Sequence, residues 1–186
     1  MEMNRRGFLA TAAAVVAAPA QTSGGLPPPG ATVKTLKSRC TACQACISAC
    51  RNNVLVAATG EYGWSGLMLP RMSFVRGFCR ADCTACGTAC PTGAIRPFTV
   101  EEKKKLVSGT AVFVKADCLV EKEGLECGNC AVHCPYKAIE MKDGGNKKKY
   151  PVVDASKCVG CGACEYHCPS KAIRIRRRVQ SVAARP

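Results

Sequence analysis

Cys158-Val-Gly-Cys161-Gly-Ala-Cys164-Glu-Tyr-His-Cys168-Pro169 is the stretch that decides the fold. Three cysteines are spaced three apart, a fourth follows four residues later, and a proline comes next. The C-x-x-C-x-x-C loop can turn three thiolates toward one point and so satisfy three irons of a cubane iron–sulfur cluster. The fourth cysteine, on the short helix that follows, points elsewhere. In two-cluster domains it ligates the other cluster, so such a domain is sewn together by exchange of ligands. Gly160 and Gly162 let the backbone approach the inorganic sulfides, and Pro169 helps to end the short helix.

The chain holds 16 cysteines, and all fall into four such runs. The first is Cys40, Cys43, Cys46 and Cys50. The second, Cys79, Cys83, Cys86 and Cys90-Pro91, has one extra residue in its first gap. In the third, Cys118, Cys127, Cys130 and Cys134-Pro135, the first gap has grown to eight residues. The fourth is Cys158, Cys161, Cys164 and Cys168. None is left over, whereas purely structural cysteines would leave strays. All 16 are therefore read as iron ligands of four [4Fe–4S] clusters.

The repeat extends past the cysteines, through Cys90-Pro-Thr-Gly-Ala-Ile95, Cys134-Pro-Tyr-Lys-Ala-Ile139 and Cys168-Pro-Ser-Lys-Ala-Ile173. Each unit reads as ligand loop, short helix, turn, and a strand beginning at Ala-Ile. The apolar pieces Ala111-Val-Phe-Val114 and Tyr150-Pro-Val-Val153 are expected to pair with the Ala-Ile strands. Each isoleucine is expected to lie against a cluster and exclude water. The predicted fold class is α+β: two ferredoxin-like modules, with small antiparallel sheets and short helices, built around four [4Fe–4S] clusters.

Hydrophobic content is 47%, but that counts cysteine and many alanines, and aromatics are only 5%. Units this small cannot each bury a sufficient apolar core. Clusters supply the missing cohesion, and the chain without them is expected to be largely unfolded. The formal charge is +14, and +13 once residues 1–20, with Arg5, Arg6 and Glu2, are removed. Four clusters with thiolate ligands contribute about −8, leaving a net charge near +5. The basic balance is thus partly internal compensation, and no aromatic-interleaved basic motif points to nucleic acid. The dense patch Arg174-Ile-Arg-Arg-Arg178 runs into a basic tail over residues 176–186. It is read as a solvated terminus ahead of a contact for an acidic redox partner or anionic lipid.

The N-terminus, with Arg5-Arg6-Gly-Phe8-Leu9, an Ala-rich run and Ala18-Pro19-Ala20, reads as a signal peptide over residues 1–20. Its Arg-Arg-x-Phe-Leu core resembles a twin-arginine export signal. That route carries folded proteins, and clusters must be built before export, so the two features support each other. Export also raises the rival of a disulfide scaffold. The repeated cluster spacing and the Cys-Pro ends argue against it. Zinc sites favour paired C-x-x-C units or Cys/His mixtures, not three consecutive ligands and a distant fourth.

Residues 21–38 contain Gly24-Gly-Leu-Pro-Pro-Pro-Gly30 and read as an extended linker. The cluster region spans residues 39–175, with runs at 40–50, 79–90, 118–134 and 158–168. Run one lacks the final proline; Asn52-Asn53 are expected to stop its helix instead, and Val54-Leu-Val56 is the following strand. Residues 57–78, with Trp64, are read as a structural loop packing between units, ahead of a docking surface. Val100-Glu-Glu-Lys-Lys-Lys-Leu106 reads as a short helix whose charge run is a solvated face. His133 and His167 each precede the fourth cysteine of a run. A histidine there can donate to a cluster sulfur, but a surface histidine is the simpler reading.

These features together resemble the exported polyferredoxins of the NapG/MauM type. The resemblance rests on the twin-arginine start, Leu26-Pro-Pro-Pro-Gly-Ala31, Gly77-Phe78-Cys79, Cys90-Pro-Thr-Gly-Ala-Ile95, Gly109-Thr-Ala111 and the widened third run. The chain is similar, more loosely, to the four-cluster electron-transfer subunits of molybdenum oxidoreductases. The family resemblance implies a periplasmic one-electron carrier between a quinol-oxidising membrane component and a terminal reductase or dehydrogenase, with peripheral membrane association through a partner. The alternative is a fixed iron–sulfur subunit of an oxidoreductase complex. No catalytic activity is expected of the chain itself: every run is complete, leaving no open iron, and no flavin, nicotinamide or molybdenum motif is present. Pairing of the runs stays open between one with two and three with four, or a nested order with one and four around two and three. The subunit analogy favours the nested order.

Overall fold

The computed structural model describes residues 24–145 and 148–177. The expected signal peptide, the first residues of the expected linker and the tail beyond Arg177 lie outside the described residues.

The chain enters through Leu26, which bridges to Met72. Helix α1 (Val33–Arg39) starts at Thr32, whose hydroxyl accepts from the Thr35 amide while the Thr35 hydroxyl accepts from the Thr32 amide, both at 2.9 Å. That reciprocal cap satisfies two otherwise orphaned donors. It fixes a helix that buries Leu36 completely and delivers Cys40 at its end. Residues 24–38, read from the sequence as an extended linker, are thus a packed part of the fold. The apolar Leu26 and Leu36 make the difference, because each finds a core to enter.

Helix α2 (Ala45–Ser48) follows, then strand β1 (Leu55–Ala57) pairs antiparallel with β2 (Pro70–Met72), Leu55 opposite Met72. Helix α3 (Ala85–Thr88) and helix α4 (Val100–Lys103) complete the first half. The second half holds β3 (Thr110–Phe113), α5 (Leu119–Lys122), α6 (Asn129–Val132), β4 (Ile139–Asp143), β5 (Lys149–Val153), α7 (Ala163–His167) and β6 (Ile173–Arg176). β3 pairs with β6, Phe113 opposite Ile173, and β4 pairs with β5, Ile139 opposite Val153. The strands expected around runs three and four therefore form, and crosswise: the strand before run three pairs with the one after run four.

The Ala94-Ile95 strand expected after run two does not form. The Ile95 amide donates to Cys90 Sγ at 3.4 Å and the Arg96 amide to Gly30 O at 3.1 Å, so this backbone is committed before a strand partner could take it. Ile95 and Ile173 are each 1% exposed. Residues 57–78 supply β2 and then insert Phe74 between the halves, where a Cβ on Gly162 would lie 2.0 Å from its ring. Among the described residues no helix is long and apolar enough to cross a membrane.

Candidate iron–sulfur centres

Every run is followed by the same turn. The residue three past the fourth cysteine is left-handed in all four: Asn53 (φ 52°), Gly93 (φ 67°), Lys137 (φ 48°) and Lys171 (φ 54°). The amides of Asn53, Lys137 and Lys171 donate back to the carbonyls of Cys50, Cys134 and Cys168. Asparagine tolerates this conformation well, which is how run one stops its helix without a proline. The loops of runs one and four also match. Ala42 (φ 55°) and Gln44 (φ 65°) occupy the left-handed positions of Gly160 (φ 77°) and Gly162 (φ 81°).

These turns bring the thiols together in four quartets. Cys40, Cys43, Cys46 and Cys90 line one cavity, closed by Ala94 and Ile95. Cys118, Cys127, Cys130 and Cys168 line another, closed by Ala172 and Ile173. Cys79 and Cys86 neighbour Cys83 and Cys50, and Cys164 neighbours Cys161, Cys158 and Cys134. Each quartet takes three cysteines from one run and the fourth from its partner run. Run one exchanges with run two, and run three with run four. The nested order favoured by analogy is thereby corrected: the short path through β1 and β2 keeps the first two runs together.

None of the sixteen cysteines is joined in a disulfide. Burial pushes Cys46 up to about 11, helped by the thiols of Cys40 and Cys90. Burial likewise raises Cys86 to about 12 and Cys161 to about 12, and Cys130 to about 11. Such groups carry protons at neutral pH and must release them on ligating a metal. Among the described residues no three Cys, His, Asp or Glu side chains close on one ion-sized point. The quartets are more open than a mononuclear site, and they present the soft, cysteine-only donor set that iron–sulfur clusters take. Backbone amides already point at several sulfurs: Ala42 to Cys40 (3.4 Å), Ala138 to Cys134 (3.3 Å) and Ala111 to Cys158 (3.4 Å).

The two halves meet at quartets two and four. The Cys79 amide donates to Cys161 O at 2.9 Å. Tyr136 stands at the same seam; burial raises its phenol, and the thiols of Cys161, Cys79 and Cys134 add to the effect. His133 and His167 stack on each other, centroids 3.7 Å apart and 9° from parallel, with the Phe78 ring 5.5 Å from His167. They form an aromatic contact across the seam. The sequence showed two similarly placed histidines but not that α6 and α7 set them face to face.

Sequence reasoning missed Lys103. The basic run was read as a solvated face, yet Lys103 is 4% exposed while Lys104 and Lys105 are exposed. Its Nζ donates to the carbonyls of Arg80 (2.6 Å) and Cys83 and reaches the Cys79 thiol. The only signal in the sequence is the T-x-x-E cap at Thr99 and Glu102, which fixes the helix phase.

Residues 125–172 match a family described as a 4Fe-4S dicluster domain. A methylamine utilization ferredoxin-type protein MauM of Methylophilus methylotrophus is 34% identical over 76% of this chain and 65% of its own length. The ferredoxin-type protein NapF of Escherichia coli K12 is 30% identical over 75% of this chain and 77% of its own. MauM of Methylorubrum extorquens is 31% identical over 82% and 71%. The chain spans a little under two thirds of the first of these relatives. The cysteine runs and exchanged quartets of this chain, with these similarities, lead to one assignment: the chain belongs to the NapG/MauM-type family of ferredoxin-type iron–sulfur electron-transfer proteins.

Proposed function

We propose that the protein holds four [4Fe–4S] clusters, one in each quartet, and passes single electrons along them in the periplasm, between a quinol-oxidising membrane component and a terminal oxidoreductase. The observation that carries this reading is the contact between Cys79 and Cys161. It joins the exchanged pairs into one series, in the order Cys40, Cys79, Cys158, Cys118 by the first cysteine of each quartet.

A bound cluster supplies one-electron chemistry; the two-electron chemistry belongs to a partner. The chain's own residues hold and insulate. Ile95 and Ile173 close two of the cavities against water. Amide donors to Cys40, Cys90, Cys134 and Cys158 stabilise negative charge on sulfur, which favours the reduced state. Export by the twin-arginine route is supported by Arg5-Arg6-Gly-Phe8-Leu9 and by the need to load the clusters before crossing the membrane.

A fixed subunit of an oxidoreductase complex is favoured by one feature. Trp64 is 77% exposed, with Leu67 and Met68 beside it, and Gln44 in the run-one loop donates to Met68 O at 2.9 Å. An exposed apolar patch at the terminal quartet suits a permanent partner.

The test is anaerobic iron and sulfide analysis of the chain without residues 1–20, with EPR of the reduced state. About 16 iron and 16 sulfide per chain, with interacting S = 1/2 signals, are expected. About 12 iron would remove one cluster from the series, and iron-free protein with oxidised thiols would restore the disulfide scaffold. Co-purification of a catalytic or membrane partner would select the fixed subunit.

A further inference from the structure

Lys103 is a buried cation in need of a counter-charge. It ends α4, held in phase by the Thr99–Glu102 capping box. Its Nζ donates to the carbonyls of Arg80 and Cys83. Among the described residues no ion pair joins it to a carboxylate: Asp82, whose carboxyl it helps to hold low from a distance, pairs with Arg80, and Glu102 pairs with Arg96, both at the surface. An ammonium buried this way is costly unless opposite charge stands beside it. The groups beside it are Cys79 and Cys86. Ligated as thiolates around a four-iron cube, their quartet carries about −2, which is the missing partner.

The sequence shows how the site is made. Run two alone has C-x3-C, Cys79-Arg-Ala-Asp-Cys83, where runs one and four have C-x2-C. Arg80 and Cys83, whose carbonyls take the Lys103 donors, flank the widened part of that loop. The shorter loops of runs one and four carry left-handed backbone at Ala42, Gln44, Gly160 and Gly162, and the loop from Cys79 to Cys86 carries none.

Resting on the four-cluster reading, we propose that Lys103 is a positioning residue that raises the reduction potential of the cluster held by Cys50, Cys79, Cys83 and Cys86. A fixed positive charge beside a cluster favours the form with the extra electron. The Cys79 cluster thereby holds the electron more firmly than it would without Lys103, at the quartet that borders the contact with Cys161.

The test is an EPR-monitored potentiometric titration of the loaded full chain as wild type, Lys103→Met and Lys103→Arg. For Lys103→Met the reduced-to-oxidised ratio of one cluster is expected to fall about tenfold at fixed ambient potential, equal to 59 mV for a one-electron couple. The other midpoints stay in place, and Lys103→Arg restores the shifted one. Loss of iron from Lys103→Met alone, with Lys103→Arg fully loaded, also supports a need for the charge. Unchanged midpoints in fully loaded Lys103→Met, or a shift shared equally by all clusters, would overturn the proposal. Failure of the four-cluster reading is distinguished by low iron in the wild type.

Discussion

The amide of Cys79 and the carbonyl of Cys161 form a 2.9 Å hydrogen bond between two ligand loops of different halves. The seam is tight on both sides of it. Ser108 donates to Val159 O at 3.0 Å. A Cβ on Gly160 would lie 2.5 Å from Gly109 N, and one on Gly162 would lie 2.0 Å from the Phe74 ring. Backbone thus meets backbone at the point where the two cluster pairs approach.

Gly162→Ala is therefore expected to open the seam. It adds left-handed strain of about 1 kcal/mol and a clash with a buried ring. A loss of about 2–4 kcal/mol in denaturant unfolding of the loaded protein is expected. Ala42→Gly, at the matching left-handed position of run one, is expected to be neutral or stabilising by up to about 1 kcal/mol. Equal losses from both would show that the loop conformation, not the seam, sets the cost.

The exchange of fourth cysteines predicts which double substitutions share a cluster. Cys46→Ser with Cys90→Ser damages one quartet, so about 12 iron should remain. Cys86→Ser with Cys90→Ser damages two, leaving about 8. Under nested pairing Cys46 and Cys90 would belong to different clusters, and the first pair would also fall to about 8. Iron analysis of the two purified proteins separates the cases.

The quartets were legible in the cysteine spacing because three ligands lie within seven residues in runs one and four. The strands around runs three and four were legible because Ala111–Val114 and Tyr150–Val153 alternate with the Ala-Ile repeats, but which pairs with which was not. Pairing of the runs was not legible, since every run offers the same exchangeable fourth ligand. What selects the partner is tertiary: β1 and β2, Leu26 on Met72, and Phe74 at the seam. Lys103 was hidden for a related reason. Among three consecutive lysines, only the phase of α4 and the path of residues 80–83 decide which one is buried.

Removing the clusters should unfold most of the chain. Among the described residues each sheet has two strands, a unit that is marginal alone in water. The α-helices among the described residues run from four to seven residues, well below the length at which isolated helices persist. The thiols that burial holds near 11 or 12 regain protons when iron leaves, so the loaded state weakens as pH falls. Anaerobic oxidation with a chelator present is expected to abolish the cooperative thermal transition and most of the far-ultraviolet circular dichroism. An iron-free chain that still melted cooperatively would mean that Leu36, Val54, Ile95 and their neighbours suffice as a core, and that the quartets are preformed before any cluster is built.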